Sequence, residues 1–423
     1  MWNRKVNLEQ GDEMVNDGAR VRSRSSNRDL RKTLSRSRTN TGIHGKLHAE
    51  TIVIGGGVIG CAIAYELAAR GQDVLLIERG RIAEGASCAA AGMIAADSEH
   101  FSSPMMLNLA AMSRRLLHEQ SEQLSSLSGM HIGFQQNGFI TPIRLKNDLR
   151  SDSAVPTPRP RDSEIWWDSI TAQQEASWLT KDIYGAYYRP LECDVLPVNL
   201  TQAYARSAQA LGARIVEGVH HVNLRVDANR VQGVETSIGT MTCQHVIVAN
   251  GIQGEALMKQ AGLQLPILPV KGEIAAVQFP DHSGQLAPDK TIYAEDIYIV
   301  PKANGEVWIG ATVLPGESDL HVTAAGLQKL LERAVSWVPG IAEAQFVRAW
   351  AGVRPSTPDG LPYLGACESI SGLYTAFGHH RNGILLSAVT GSLLADFIEG
   401  KSSEELNVQG CRPERFNKRG ILH

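Results

Sequence analysis

Residues 51 to 78 read TIVIGGGVIGCAIAYELAARGQDVLLIE. Thr51 to Ile54 is a short apolar run rich in β-branched residues, the pattern of a buried strand. Gly55, Gly57 and Gly60 follow as G-x-G-x-x-G. From Val58 to Arg70 the period turns helical, with Ile59, Ile63 and Leu67 on one face. Gly71 ends that helix, Val74 to Ile77 is a second apolar strand, and Glu78 stands at its carboxyl end. A lone G-x-G-x-x-G is weak. Strand, glycines, helix, second strand and a following acid within one short unit make a dinucleotide-binding fingerprint. Gly55 permits the tight turn, Gly57 lets a pyrophosphate approach the backbone, and Gly60 lets helix and strand pack closely. The helix N-terminus offers free N–H groups to phosphate, and Glu78 can accept from ribose hydroxyls. The competing reading is an ordinary βαβ unit with glycine-rich turns.

Working outward, 423 residues suffice for two domains. Hydrophobic residues at 43% and charged residues at 20% fit a globular chain. The net charge of −3 is uneven: residues 1 to 48 carry +6, leaving −9 for the rest. That acidic remainder argues against nucleic-acid binding. The six cysteines form no C-x-x-C pair, so neither a disulfide framework nor a zinc pattern is expected, and a reducing cytoplasm is. No metal site is expected. The most apolar window, 51 to 69, is explained by the fingerprint, so no stable membrane association is expected. The N-terminus lacks the apolar core of a signal peptide. Residues 1 to 48, polar and rich in Arg, Ser and Asn, read as a disordered basic extension. A targeting segment and an upstream start remain alternatives.

Gly85 to Gly92 is a run of small residues that lets backbone meet a flat ring system; a tightly packed helix start is the alternative. Residues 105 to 128 predict an amphipathic helix with Leu107, Ala110, Ala111, Leu116 and Leu117 apolar. Asn137-Gly138 signals a hairpin. Residues 145 to 164, with Pro156, Pro158 and Pro160, read as an exposed loop. A short helix is predicted over 171 to 180. Asn199 is the expected cap of the next helix. A strand from Arg214, a meander turning at Asp227 to Asn229 and near Gly239, and the strand His245 to Ala249 complete a doubly wound sheet, with Asn250-Gly251 at its carboxyl edge. Residues 265 to 315 predict an antiparallel sheet, with a turn at Asp281. Residues 324 to 337 predict a helix. RAWAGVRPSTPDGLPYLG reads as a turn-rich loop centred on Pro358-Asp359-Gly360. Leu373 to Phe377 is a strand that enters the helix Ile384 to Ile398 through Gly378 to Gly383.

The fingerprint, AAAGM, VIVANG, LPVKGE, DIYIVP, GVRPSTPDGLPYLG and GHHRNGILL occur in that order. Together they resemble the D-amino-acid-oxidase-like FAD-dependent oxidoreductases, and within them the glycine-oxidising enzymes of thiamine synthesis, over roughly residues 49 to 400. The resemblance implies FAD as cofactor. It also implies an α/β fold: a doubly wound, Rossmann-like FAD-binding domain with an interleaved α+β substrate domain on an antiparallel sheet. The FAD-binding domain would take 49–135, 192–265 and 346–405; the substrate domain 136–191 and 266–345; and a C-terminal tail 406–423. The implied reaction is oxidation of glycine, and of sarcosine or small D-amino acids, through an imine to the oxo acid, with O2 reduced to H2O2. A homotetramer and hand-off of the imine to thiazole synthase are implied too.

By motif position, the resemblance makes Tyr298, Arg354 and Arg381 the catalytic and substrate-binding residues. Arg354 would grip the substrate carboxylate bidentately, and Tyr298 would help hold it. A salt bridge of Arg354 with Asp359, and a half-buried strand aromatic at Tyr298, are the alternatives. Asp296 and Val313 would face the substrate where the family can carry histidine and methionine. The cofactor would lie along Gly55, Gly57, Val58, Ile59, Gly60, Glu78 and Arg79, then Ser87, Ala91, Gly92 and Met93, then Val222, Asn250 and Gly251. Gly378, His380, Arg381, Asn382, Gly383 and Ile384 would close the flavin end, with His379 and His380 behind it. Cys88 stands where serine is commoner, with no reason for covalent attachment. The flavin carries the redox chemistry while the protein orients the substrate, which accounts for the lack of a Ser-His-Asp pattern. The rival activity is a D-amino-acid dehydrogenase passing electrons to a quinone; a rival of another class is a flavoprotein with a nucleic-acid-binding basic tail.

Overall fold

The fingerprint strand Thr51–Ile54 is fully buried and sits inside a six-stranded sheet. The order is Tyr363–Ala366, Leu373–Phe377, His245–Val248, Thr51–Ile54, Val74–Ile77, Arg214–Val216. Five strands are parallel; the edge strand Tyr363–Ala366 is antiparallel. Both faces of such a sheet must be covered, so its strands are apolar throughout. The helices Val58–Ala69, Pro197–Ala210 and Ser387–Ile398 are rich in buried small and aliphatic residues. They form one apolar cluster with the fingerprint strand, while Leu75, Val246, Leu257 and Phe377 belong to a second. The computed structural model describes residues 47–101, 103–144, 164–280, 286–401 and 408–416. Most of the extension 1 to 48, the loop 145 to 163, the turn at Asp281 and parts of the C-terminal tail lie outside the described residues.

The other large sheet has nine strands. Leu268–Gln278 is its longest-paired member, running antiparallel to Glu306–Gly310 on one side and to Gln345–Ser356 on the other. Tyr298–Pro301 pairs with Glu306–Gly310 and with Thr291–Tyr293. The helix Ala324–Trp337, capped by Thr323 Oγ1 accepting from the Gly326 N–H, packs Leu330, Ala334 and Trp337 into this sheet's core. A four-stranded sheet contains the meander from Val222 to Thr242. The doubly wound parallel sheet and the antiparallel sheet are the α/β architecture expected from the sequence.

Several local expectations are corrected. Leu47–His48, inside the stretch read as extension, is a strand paired with Met241 and Thr242. AWAGVRPS is strand rather than loop: Gln345–Ser356 pairs with Leu268–Gln278 along its length. Glycine and proline suggested a turn, yet Gly352 is there for closeness, since a Cβ on it would lie 2.3 Å from Ala89 Cβ. Asn137-Gly138 makes no local hairpin; Phe139–Ile143 pairs with Gly185–Arg189 and Thr291–Tyr293. Asn199 lies inside the helix Pro197–Ala210, whose cap position is Leu196, and its amide donates to the His131 carbonyl at 2.8 Å. In the helix Pro104–Ser128, Ala111 is exposed and the buried stripe runs through Met106, Leu109, Ala110, Ser113, Leu117 and Leu124. The last helix begins at Ser387, after a short 3-10 turn at His380–Asn382. The small-residue run after Gly85 is a chain of turns, not a helix start.

Candidate active site

A single cavity of about 1880 Å³ runs from the fingerprint glycines to the antiparallel sheet. That exceeds the roughly 300–1,000 Å³ of an ordinary small-molecule pocket and suits a dinucleotide together with a substrate. At one end Gly55 has φ +115°, and a Cβ there would lie 2.6 Å from the Ala249 carbonyl oxygen. At Gly60 a Cβ would overlap the Gly55 carbonyl oxygen at 1.9 Å. The turn therefore excludes side chains on both counts. Glu78 accepts from the Gly56 N–H at 2.6 Å and the Gly80 N–H at 2.7 Å. Its carboxylate is thus held at the cavity wall. Ser87 Oγ accepts from the Val58 N–H at 2.9 Å, and Ile59 and the exposed Arg79 line the same end.

The small-residue run forms the middle of the cavity. Ala91, Gly92 and Met93 line it, and Gly92 has φ +81°. Behind them the buried Lys302 ammonium donates to the Ala91 carbonyl at 3.0 Å, to the Val195 carbonyl at 2.6 Å and to Asp194. Burial pushes the Asp194 carboxyl up to about 6. Val222, Asn250 and Gly251 also line the cavity. Asn250 Oδ1 is buried without a hydrogen-bond partner, an acceptor left for a group in the cavity. Gly378, Asn382, Gly383 and Ile384 also line the cavity. His379 is buried, its Nε2 3.1 Å from Thr390 Oγ1, and burial lowers it to about 3. Burial, then Arg354 and Arg381, lower His380 to about 4. Both rings are therefore neutral near pH 7.

Tyr298 and Arg354 come from different strands of the antiparallel sheet and meet at the far end. Two glycines make their room. A Cβ on Gly310 would lie 2.5 Å from the Tyr298 hydroxyl, and one on Gly272 would lie 2.4 Å from the Arg354 guanidinium nitrogens. Arg354 Nη1 donates to the Thr312 carbonyl at 3.3 Å. Among the described residues no carboxylate lies within ion-pair distance of Arg354. The expected rival partner, Asp359, is taken by Arg415 at 2.7 Å. Burial lowers the Arg354 pKa, and Tyr298 opposes that; burial raises the Tyr298 hydroxyl. A desolvated, unmatched cation facing a cavity is a place for an anion.

Arg381 sits differently. Its Nε is 3.0 Å from Glu99 Oε1, and its Nη2 donates to the Tyr293 hydroxyl at 3.0 Å. Sequence reasoning missed Glu99 and Tyr293. Glu99 stands just beyond the run ending at Met93, and no local pattern marks it. Asp296 and Val313 are brought to the cavity mouth rather than its depth. Asp296 is exposed and pairs with Arg333 at 3.1 Å, and Val313 is 62% exposed. Asp296 thus lines the cavity with its carboxylate engaged by Arg333. Cys88 is an exposed residue whose thiol is raised by partial desolvation. Among the described residues no cluster of acids, histidines and cysteines could hold a metal ion, and no helix is long and apolar enough to cross a membrane.

A glycine-built dinucleotide cradle opening onto a polar end lined by Tyr298, Arg354 and Arg381 is the frame of a flavin-dependent oxidoreductase. The chain belongs to the FAD dependent oxidoreductase family, DAO, which matches residues 50–397. It is 37% identical to a glycine oxidase of Geobacillus kaustophilus, over 84% of this chain and 94% of that one. A bifunctional protein ThiO/ThiG of Trichormus variabilis is 33% identical over 84% of this chain, which spans 54% of that protein. A crystal structure of glycine oxidase from Geobacillus kaustophilus superimposes with a TM-score of 0.80 at 35% identity, covering 88% of this chain and 99% of that one. The chain is an FAD-dependent amine oxidase, and its cofactor is FAD.

Proposed function

We propose that the protein oxidises glycine, and with it sarcosine or small D-amino acids, to the imine and oxo acid, reducing O2 to H2O2. The observation that carries this is Arg354, an unmatched guanidinium beside Tyr298 at the end of the cavity. The glycine oxidase relatives support the same substrate class.

FAD would be held by the Gly55–Gly60 turn, Glu78, Ser87, the Ala91–Met93 run, Asn250 and the Gly378–Ile384 turn, and when bound it supplies the two-electron acceptor. Arg354 grips the substrate carboxylate through two N–H groups, and the Tyr298 hydroxyl donates a further hydrogen bond. Fixing one carboxylate at two points sets the substrate Cα at a defined place, which supplies orientation rather than acid–base chemistry. The pocket histidines are poor bases, because burial and the neighbouring guanidinium groups keep them neutral and weakly basic. The substrate ammonium therefore loses its proton to water before oxidation. Gly272 and Gly310 keep the floor flat enough for the guanidinium and the phenol to lie side by side.

The imine is the product that thiazole formation would consume, and a relative carrying ThiO and ThiG in one chain supports a hand-off to thiazole synthase. A cytoplasmic homotetramer belongs to the same proposal. The test is to purify the yellow protein and measure peroxide with glycine, sarcosine, D-alanine and D-proline. Peroxide in step with substrate loss supports an oxidase. Dye reduction with little peroxide would point to a dehydrogenase serving a quinone, and no turnover of any of the four would overturn the proposal.

A further inference from the structure

Arg354 and Arg381 both line the cavity near Tyr298, and they are not equivalent. Arg354 has no carboxylate partner among the described residues. Arg381 has one: Glu99 Oε1 lies 3.0 Å from its Nε. Tyr293 takes a second donor of the same group at 3.0 Å, and its ring lies 5.9 Å from the guanidinium carbon. The Glu99 side chain is only 10% exposed, whereas that of Arg381 is 40% exposed. The acid is thus the more enclosed partner, and it lines the same cavity. Burial alone would lower the Arg381 pKa, yet Glu99 and Tyr293 hold it above the ordinary value. The Glu99 charge is also felt at Arg354 and Tyr298.

We propose that Glu99 is a specificity-determining residue: by neutralising Arg381 it leaves Arg354 as the unmatched guanidinium beside Tyr298 and restricts the pocket to amines bearing a single carboxylate. The inference rests on the reading of Arg354 as the carboxylate grip. A substrate with two carboxylates would have to place its second one against an Arg381 already paired, beside the Glu99 charge. That arrangement is repulsive and discriminates by charge rather than by size. Removing the Glu99 charge turns Arg381 into a second anion site with its geometry unchanged.

The test compares ligands that differ by one carboxylate. Acetate and malonate are titrated into the holoenzyme and followed by perturbation of the flavin spectrum. Sarcosine and iminodiacetate are compared by anaerobic flavin reduction, which does not depend on the electron acceptor. In the unaltered protein malonate binds no tighter than acetate. In Glu99→Gln the malonate-to-acetate affinity ratio rises by about tenfold or more, as does the iminodiacetate-to-sarcosine reduction rate ratio. The double variant Glu99→Gln with Arg381→Gln loses that gain. Unchanged ratios in Glu99→Gln overturn the inference. If that variant does not fold, malonate binding the unaltered protein ten times more tightly than acetate overturns it as well. Failure of glycine and sarcosine to reduce the flavin would overturn the proposed reaction instead, and the acetate and malonate titrations would still decide the role of Glu99.

Discussion

The two ends of the cavity are built from different materials. The cradle end is made of backbone: Gly55, Gly57 and Gly60, a helix N-terminus, and Glu78 pinned by two N–H groups. The substrate end is made of side chains: Arg354, Tyr298, Arg381, Glu99 and Tyr293, carried by separate segments. Backbone recognition needs a contiguous stretch and tolerates no added atoms. Side-chain recognition needs distant segments brought together, and its members can be exchanged one at a time. The first end should break all at once, and the second by degrees.

The largest effect is expected at Gly60→Ala. A Cβ would sit 1.9 Å from the Gly55 carbonyl oxygen, so the turn must open. The purified protein should be colourless, with a destabilisation above about 4 kcal/mol; a yellow protein of normal melting temperature would contradict the backbone account. Next, Arg354→Ala should keep the yellow flavin while kcat/KM for glycine falls by an amount equivalent to roughly 2–5 kcal/mol. Loss of flavin in that variant would mean that the two ends are not separable.

A smaller effect concerns stability against pH. Glu192 is buried beside Arg114, and burial pushes its carboxyl up to about 7 from an ordinary 4.5. Between those values the folded protein binds more protons than the unfolded chain, so this group's contribution falls as pH rises through that window. Glu192→Gln should therefore flatten the loss of stability between about pH 4.5 and 7, by on the order of 3 kcal/mol. Denaturant midpoints across that range check it, and an unaltered slope would contradict the assignment. The smallest effect is at the rim. Asp296→Ala removes an exposed pair with Arg333 and should change kcat/KM for glycine by less than about threefold, since exposed pairs contribute roughly 0–1 kcal/mol. A large change would mean that Asp296 acts on the substrate directly.

The same contrast explains what could be read in advance. The strands Thr51–Ile54 and Val74–Ile77 and the helix between them follow from one contiguous pattern. Arg354 and Tyr298 were recognisable only because their motifs resemble those of a family. Glu99 carries no such mark: its partner Arg381 is reached through chain topology, not spacing. RAWAGVRPSTPDGLPYLG reads as a loop around Pro358-Asp359-Gly360, yet its first half is strand, where Gly352 answers to a neighbour, Ala89, far away in sequence. Asp296 precedes the strand Tyr298–Pro301 and pairs with Arg333 at the edge of the cavity, a contact set by tertiary packing that its place before Tyr298 does not announce.

Gln345–Ser356 has a further consequence. Trp350, Gly352 and Arg354 alternate onto one face. The Trp350 Nε1–H donates to the Ala89 carbonyl at 3.2 Å, Gly352 lies against Ala89, and Arg354 ends the series. One pleat, about 7 Å, separates the residue touching the small-residue run from the residue proposed to grip the carboxylate. The strand works as a ruler. If Arg354 takes the substrate carboxylate as proposed, every substrate is measured from the same mark, and bulkier amines would have to grow away from it, toward the exposed Val313.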